Sequence, residues 1–285
     1  MSNSIECNCP VHGIYYVSPN DSNGKCPLCV ERNKRNYENF VKKLPLAYQN
    51  VSLDNYKTFT KEQKGTADFC RSYVQRLTKF NENKLPLKIG LVFFGLPGTG
   101  KTHLALGILK ALAQSGISVE YITCTDLFKM DVPLNLNPEI ENQRYRLKHV
   151  QVLVIDDLVR GTLPSNRELL FNIVDTRYQN LDCTILITNV FEDDFKRHDQ
   201  RIISRMQERA YFLPFMWDDY RKILGSISLS SPYSGCCPIW NISRACPGAP
   251  SFRDACRFWS KTERNLKDKQ RWEKSKSRFG WWFSS

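Results

Sequence analysis

The amino-acid sequence predicts an α/β fold built around a parallel β-sheet. Between residues 45 and 224, apolar segments of strand length alternate with amphipathic segments of helix length. Two of the apolar segments, at residues 150–155 and 184–188, carry hydrophobic side chains on both faces. Strands that are covered by helices on both sides need this pattern, so we expect the sheet to lie between two helical layers.

Each predicted element follows from its own pattern of apolar residues. Strands are predicted at residues 89–94, 118–123, 150–155, 184–188 and 211–215. Helices are predicted at residues 101–114, 166–179 and 201–209. Outside this region the pattern changes: residues 1–35 predict a small turn-rich module, residues 36–60 a linker, and residues 225–285 an irregular tail.

The composition excludes some classes of protein. The chain has 285 residues, with 41 Lys and Arg against 29 Asp and Glu, and its 41% of hydrophobic residues suffices for a buried core. It has no run of about 18 apolar residues, and its first residues lack the features of a signal peptide, so we expect a cytoplasmic protein without membrane contact. In that reducing compartment, the eleven cysteines favour metal binding over disulfides.

A phosphate-binding loop is predicted between the first strand and the helix at 101–114. The sequence GLPGTGKT matches the pattern G-x-x-x-x-G-K-[ST] in the strand-to-helix context that the pattern requires. Lys101 can reach the β- and γ-phosphates, and the Thr102 hydroxyl can ligate Mg²⁺. The predicted nucleotide-binding residues are Gly95, Pro97, Gly98, Thr99, Gly100, Lys101, Thr102 and His103.

Polar residues at the ends of two later strands complete the predicted catalytic set. Asp156 ends an apolar strand and is placed to hold Mg²⁺, directly or through water. Asp157 is the candidate for orienting or deprotonating the attacking water. Asn189 follows the strand at 184–188 and could orient water near the γ-phosphate, although Asn after a strand is usually a turn residue.

Taken in order, the motifs resemble those of the DnaC-type helicase loaders and the related DnaI and IstB ATPases of the AAA+ class. The motifs concerned are GLPGTGKTHLA, YITCTDLF, VLVIDDL, VDTRY, ILITN, RIISRMQER and FMWDDYR. The resemblance covers residues 45–224 and implies an AAA+ ATPase domain, a RecA-like αβα sandwich with a five-stranded parallel sheet. It also implies Mg²⁺-dependent ATP hydrolysis and ATP-dependent assembly into a homo-oligomer.

The same resemblance assigns roles to several polar residues. In this class ATP lies between neighbouring subunits, and an arginine of one subunit reaches the ATP of the next. Arg205 matches that position, and Arg201, one turn earlier on the same helix face, is the second choice. Arg221 matches the second sensor, which contacts the γ-phosphate in cis, and Asn189 matches the first. Asp157 stands where many AAA+ proteins have Glu, so we expect slow hydrolysis that assembly or DNA stimulates.

The function that the resemblance implies is loading of a DnaB-type replicative helicase onto single-stranded DNA during replication. The alternatives are an IstB-type transposition helper, which acts with a transposase on duplex DNA, and a non-catalytic nucleotide-binding adaptor. Residues 126–149 are the candidate DNA-contacting segment, because they combine basic side chains with Tyr145. Acidic residues nearly balance that charge, so a solvated helix explains the segment equally well. The basic candidates are Lys129, Arg144, Arg146 and Lys148.

Two short cysteine motifs near the N-terminus predict a structural zinc site. Cys9-x-x-His12 and Cys26-x-x-Cys29 are separated by 13 residues and could supply four tetrahedral ligands. Cys7 is a competing ligand, since C-x-C could replace C-x-x-H. His12 is preferred because Cys-x-x-His-Gly resembles the start of N-terminal zinc modules in DnaC-like replication proteins of phages and prophages. That resemblance implies that the module docks on the replicative helicase.

The tail at 225–285 is the least explained part of the sequence. It holds six Arg and five Lys against two Asp and two Glu, and therefore much of the net charge of +12. A basic tail with tryptophans could bind nucleic acid, or could lie on an anionic membrane. We expect instead a disordered or accidental extension, because its pattern fits neither helix nor strand.

Overall fold

The structure, a computed structural model, describes residues 5–17, 25–82, 90–131, 137–158, 164–189 and 200–220. The chain forms two compact units, Met1–Phe215 and Met216–Ser285, and the elements given below belong to the first. Arg221 and the predicted tail lie outside the described residues. No helix in the described part of the chain is long and apolar enough to cross a membrane.

A small hairpin and a long helix precede the main sheet. Strands β1 (Ile5–Cys9) and β2 (Gly13–Val17) pair antiparallel. Helix α1 (Pro27–Lys43) starts with a proline, whose fixed φ suits the first helical turn. Because α1 is continuous, the module boundary predicted at residue 35 falls inside a helix. A 3₁₀ turn, Leu46–Tyr48, follows it.

A five-stranded parallel sheet forms the centre of the fold, as predicted. Its strands lie in the order β4-β5-β6-β3-β7. Every residue of the central strand β6 and of its neighbour β3 is buried, as strands covered on both faces must be. The strands are β3 (Gly90–Gly95), β4 (Val119–Thr123), β5 (Val152–Leu158), β6 (Cys183–Thr188) and β7 (Ala210–Phe215).

The three helices predicted from the sequence are all present, with bounds within two residues of the prediction. The helices of the core are α2 (Lys61–Glu82), α3 (Lys101–Gln114), α4 (Cys124–Phe128), α5 (Pro138–His149), α6 (Pro164–Gln179) and α7 (Gln200–Arg209). Helix α2 was missing from the prediction. Its buried residues Ala67, Cys70, Tyr73 and Leu77 recur at helical spacing, so the periodicity was available in the sequence. Helices α1 and α2 both pack against α3.

The pairing of the strands brings their carboxyl ends to one edge of the sheet. Phe94 of β3 pairs with Thr188 of β6, and β5 pairs with the other side of β6. A bulge in β5 between Ile155 and Leu158 shifts the register at the two aspartates. Ligands of open parallel sheets bind at this edge, so the fold places the predicted site there.

Arg177 is a buried cation at the edge of the sheet opposite to the predicted site. The Arg177 side chain, in the VDTRY segment of α6, has no exposed surface. Its guanidinium donates to Thr184 Oγ1 at 2.9 Å and to main-chain carbonyls at the end of α5, before β5 and at the start of β6. These acceptors compensate the loss of hydration, although burial still lowers the pKa of Arg177 to about 10. Arg177 thus connects α6 with the end of α5, the residue group before β5 and the start of β6. It does not contact the predicted site.

Candidate nucleotide and metal sites

The predicted phosphate-binding residues lie in one loop between β3 and α3. Gly95 has φ of 126°, and a Cβ there would collide with the Phe215 carbonyl, so β7 fixes the start of the loop. Leu96 N donates to that same carbonyl at 2.9 Å. Gly98 and Gly100 have φ of 75° and 90°, which glycine adopts without strain. The loop ends at Lys101, where the free N–H groups of the first turn of α3 favour an anion.

Lys101 is buried within this loop. Its Nζ donates to the carbonyls of Gly95 at 2.9 Å and Leu96 at 2.6 Å. Burial lowers the pKa of Lys101 to about 8, while the negative charges of Asp156 and Asp157 act in the opposite direction. A bound phosphate would replace the two carbonyl oxygens, which carry only partial charge, by fully charged oxygens. The Lys101 ammonium is therefore placed to bind phosphate strongly.

Asp156 and Thr102, the two predicted Mg²⁺ ligands, meet near the end of β5. Thr102 Oγ1 donates to Asp156 Oδ2 at 2.9 Å, and Tyr121 of β4 donates to the same oxygen at 3.0 Å. Burial raises the pKa of Asp156, and these two hydrogen bonds oppose that rise. A carboxylate beside a hydroxyl is an oxygen donor set that suits Mg²⁺, so these residues fit the ion. Tyr121 was not predicted, because its contact depends on the pairing of β4 with β5.

Asp157 is exposed, whereas its neighbour Asp156 is buried. Its φ of 57° lies in the left-handed region, which a non-glycine residue adopts only at some cost, and the bulge in β5 accommodates it. The Asp157 side chain is exposed and accepts a hydrogen bond from Asn189 Nδ2 at 3.3 Å. The structure therefore brings the predicted water-orienting residues of β5 and β6 together.

His103 is turned toward part of the segment that was predicted as a linker, residues 36–60. We call residues 49–59 the strap, because they run along α3 and contact it from Lys110 to His103. His103 Nε2 contacts the Ser52 carbonyl at 2.9 Å and Asn55 Oδ1 at 3.0 Å. Both partners are acceptors, so Nε2 carries the proton, and burial lowers the pKa of the ring.

Arg205 and Arg201 lie on the face of α7 that contacts α6. Arg205 Nε donates to Asp175 Oδ1 at 2.5 Å, and Arg201 Nη2 donates to Glu168 Oε2 at 3.0 Å. Both guanidinium groups stack over the Phe171 ring, at 4.7 Å and 3.9 Å from its centroid. These contacts hold the two groups in fixed positions. The Arg205 side chain keeps 26% exposure.

Arg205 is remote from the phosphate loop of its own chain. It lines a small cleft with Gly90 and Thr184, which lie at the start of β3 and β6. The loop follows Gly95, at the other end of β3. Arg221, the predicted second sensor, lies outside the described residues.

The cysteine and histidine side chains near the N-terminus form a compact cluster. Cys9, His12, Cys26 and Cys29 each offer one ligand atom, and these atoms all lie within 4.8 Å of one another. His12 Nδ1 is 3.6, 3.5 and 3.3 Å from the three sulfurs, and Cys9 Sγ is 3.6 Å from Cys29 Sγ. In tetrahedral zinc these edges measure about 3.6 Å for S–N and about 3.8 Å for S–S, so the four residues fit that ion.

The hairpin turn lowers the pKa of one of these thiols, and the thiolate is the form that binds a metal. Main-chain N–H groups of Val11 and His12 donate to Cys9 Sγ, and they lower the pKa of the Cys9 thiol to about 6. Cys7 lies outside the cluster, so the structure favours His12 over Cys7 as the fourth ligand.

The predicted DNA-contacting segment is described only in part, because residues 132–136 lie outside the described ranges. Lys129 forms an ion pair with Asp126 at 2.7 Å, and Arg144 donates to the Met130 carbonyl. Tyr145 is 64% exposed on α5, with its ring 4.3 Å from that of His149. The structure gives Tyr145 the accessibility that base stacking needs, while two of the basic candidates have partners within the chain.

Comparison with known proteins identifies the family. Residues 30–209 match the family described as IstB-like ATP binding protein. The replicative helicase loader DnaC of Escherichia coli strain K12 is 32% identical over 179 residues, which cover 61% of this chain and 70% of the relative. The DnaC of Buchnera aphidicola subsp. Acyrthosiphon pisum is 32% identical over 181 residues, covering 61% and 71%. A putative ATP-binding protein of insertion sequence IS232 from Bacillus thuringiensis subsp. berliner is 35% identical over 148 residues, covering 46% and 55%.

Solved structures agree with this assignment. The crystal structure of the DnaC helicase loader matches with a TM-score of 0.52 and 28% identity, over 60% of this chain and 99% of that one. The crystal structure of DnaI matches with a TM-score of 0.51 and 20% identity, over 62% and 94%, which supports the fold alone. The chain therefore belongs to the IstB-like ATP-binding protein family, as an AAA+ ATPase of the DnaC type.

Proposed function

We propose that this ATPase loads a DnaB-type replicative helicase onto single-stranded DNA during replication in the cytoplasm. The observation that carries the proposal is the match to DnaC over most of the length of those loaders, together with the nucleotide site assembled at the edge of the sheet. Copies of the chain assemble with ATP between them, and this assembly promotes placement of the bound helicase on single-stranded DNA. Hydrolysis then releases the loader.

Separate residues of the chain bind ATP, hold Mg²⁺, orient the attacking water and stabilise the transferred phosphoryl group. Lys101 leaves the loop carbonyls and binds the β- and γ-phosphates, while Thr102 and Asp156 hold Mg²⁺, which neutralises phosphate charge when bound. Asp157 and Asn189 orient the attacking water; their mutual hydrogen bond and their positions near the carboxyl ends of neighbouring strands support this role. Arg205 of a neighbouring copy stabilises the charge that develops on the transferred phosphoryl group.

The cysteine and histidine cluster holds zinc, and its module docks on the helicase. A hairpin and one helical turn have little core of their own, so the metal stabilises them. Around the cluster, several apolar side chains are exposed, which suits a surface that a partner covers. These side chains are Ile5, Val11, Ile14, Tyr16, Leu28 and Val30.

A co-purification experiment tests the proposal. The tagged full-length chain, with ATP and Mg²⁺, is expected to retain the DnaB-type helicase of its host and to transfer it to single-stranded DNA. The Lys101→Ala variant keeps the metal module and serves as the matched control. It is expected to bind helicase but not to complete ATP-dependent transfer. Absence of helicase binding by the wild-type chain would refute the proposal.

A transposition helper is the second candidate. The family description, which names IstB, favours it, and so does the 35% identity to the IS232 protein, whose name refers to an insertion sequence. On this alternative the tagged chain would retain a transposase and assemble on duplex DNA. The same co-purification, repeated with a transposase and with duplex DNA, therefore separates the two functions.

A further inference from the structure

The strap is fastened to α3 along three of its turns. The buried Lys110 donates to the carbonyls of Gln49 at 2.5 Å and Val51 at 2.9 Å. One turn earlier, a Cβ at Gly107 would come within 2.9 Å of Leu53 N, so the strap backbone lies directly on the helix. At the next turn His103 binds Ser52 and Asn55. The strap is therefore held firmly where it reaches the phosphate loop.

At that end the side chain of Tyr56 covers the loop itself. Tyr56 OH donates to the Thr99 carbonyl at 3.2 Å. A Cβ on Gly100 would lie 2.7 Å from Tyr56 Cε2, which shows how closely the ring approaches the backbone. The ring also packs edge-on against His103, with 5.3 Å between centroids. Tyr56 belongs to the strap, which is anchored on α3, and its side chain touches two consecutive loop residues, Thr99 and Gly100.

The orientation of the Thr99–Gly100 peptide matters for phosphate binding. A loop of this kind binds phosphate through N–H groups that turn inward, so its carbonyls must turn outward and need donors of their own. The tyrosine hydroxyl is such a donor for Thr99. Gly100 has φ of 90°, and because glycine has no Cβ, this peptide can adopt other orientations unless something holds it.

We infer that Tyr56 is a positioning residue for the phosphate loop. By binding the Thr99 carbonyl and covering Gly100, it keeps the loop in the conformation that receives phosphate, so less conformational entropy is lost on binding. Tyr56 raises nucleotide affinity and leaves the chemical step unchanged.

The Tyr56→Phe variant tests this inference, because it removes the hydroxyl and keeps the ring. One hydrogen bond contributes about 0.5 to 1.5 kcal/mol, so the Kd for ADP by calorimetry is expected to rise about 2- to 12-fold. KM for ATP should rise by a similar factor, while kcat stays within about twofold of the wild-type value.

Tyr73→Phe is the matched control. Tyr73 OH contacts Cys183 Sγ at 2.9 Å at the start of β6, so the control also removes a tyrosine hydroxyl, but at the end of the strand that lies away from the phosphate loop. It is expected to lower the melting temperature and to leave the Kd unchanged. An unchanged Kd in Tyr56→Phe overturns the inference, and so does a fall in kcat with unchanged KM. Neither readout requires a helicase, so the result is independent of the loading function.

Discussion

Arg205 is expected to act on the nucleotide of a neighbouring copy and never on its own. It lies beside Gly90, the first residue of the six-residue strand β3, whereas the phosphate loop follows Gly95, the last. At about 3.3 Å per residue, the two ends of the strand are roughly 16 Å apart. A side chain anchored to Asp175 does not span that distance. If Arg205 takes part in hydrolysis, it therefore does so across a contact between copies.

Mixing two inactive variants measures this directly. Lys101→Ala removes the ammonium that binds phosphate but still supplies Arg205. Arg205→Ala binds ATP normally but supplies no arginine, which typically costs about 10³- to 10⁵-fold in rate. In a head-to-tail assembly, a site works only where an Arg205→Ala copy is followed by a Lys101→Ala copy. An equal mixture should therefore recover about one quarter of the wild-type rate per subunit.

The assay is phosphate release at constant total subunit concentration, with the two variants mixed in varying proportion. The rate should follow a parabola with its maximum at equal amounts. Arg209→Ala is the matched control, one turn further along the same face of α7, where its guanidinium stacks over Tyr178 at 4.8 Å. Mixed with Lys101→Ala, it should instead give a straight line.

Two results would refute the reasoning. A mixture of Arg205→Ala and Lys101→Ala that is no faster than the sum of its parts, although size measurements show that the variants co-assemble, excludes action between copies. Equal loss of ATP affinity in the two single variants would show that Arg205 belongs to the binding site of its own chain.

Three further predictions concern other parts of the molecule. Because burial lowers the pKa of Lys101 to about 8 and phosphate needs the charged form, ADP affinity measured by calorimetry should fall as pH rises from 7 to 9, with proton uptake on binding; Lys101→Arg should lack this slope. Arg177→Met leaves three buried carbonyls without their donor and should lower the free energy of unfolding by about 3 kcal/mol, whereas Arg35→Met on the exposed face of α1 should leave the melting temperature unchanged. Zinc analysis should give about one ion per chain, lost in Cys26→Ser and kept in Cys7→Ser; loss in both would mean that Cys7 is a ligand.

Much of the fold and of the nucleotide site could be predicted because the signals are local. An apolar strand, three glycines at set intervals and a Lys-Thr pair specify the phosphate loop within about a dozen residues. The apolar patterns of the β5 and β6 segments likewise predicted strands, and polar residues at their ends predicted where Asp156 and Asn189 would lie. The predicted bounds of α3 equal the observed ones, which shows how strongly short-range periodicity determined this helix.

The contacts that were missed join residues far apart in sequence. Tyr56 reaches Thr99 across 43 positions, and Tyr121 reaches Asp156 across 35. No local pattern distinguishes these tyrosines from others that pack in the core, because their roles depend on which elements lie side by side.

The sequence by itself determined the α/β class, the phosphate loop and the two short cysteine motifs, because each depends on side chains within one element or turn. The resemblance favoured His12 over Cys7, but only the tertiary structure brings His12 together with Cys9, Cys26 and Cys29 and leaves Cys7 outside the cluster. Only the tertiary structure, likewise, places Arg205 at the far end of the sheet from the loop of its own chain. The first outcome depends on how the hairpin of β1 and β2 meets the start of α1, and the second on the strand order and on the packing of α7 against α6. Both are contacts between elements, which no local pattern specifies.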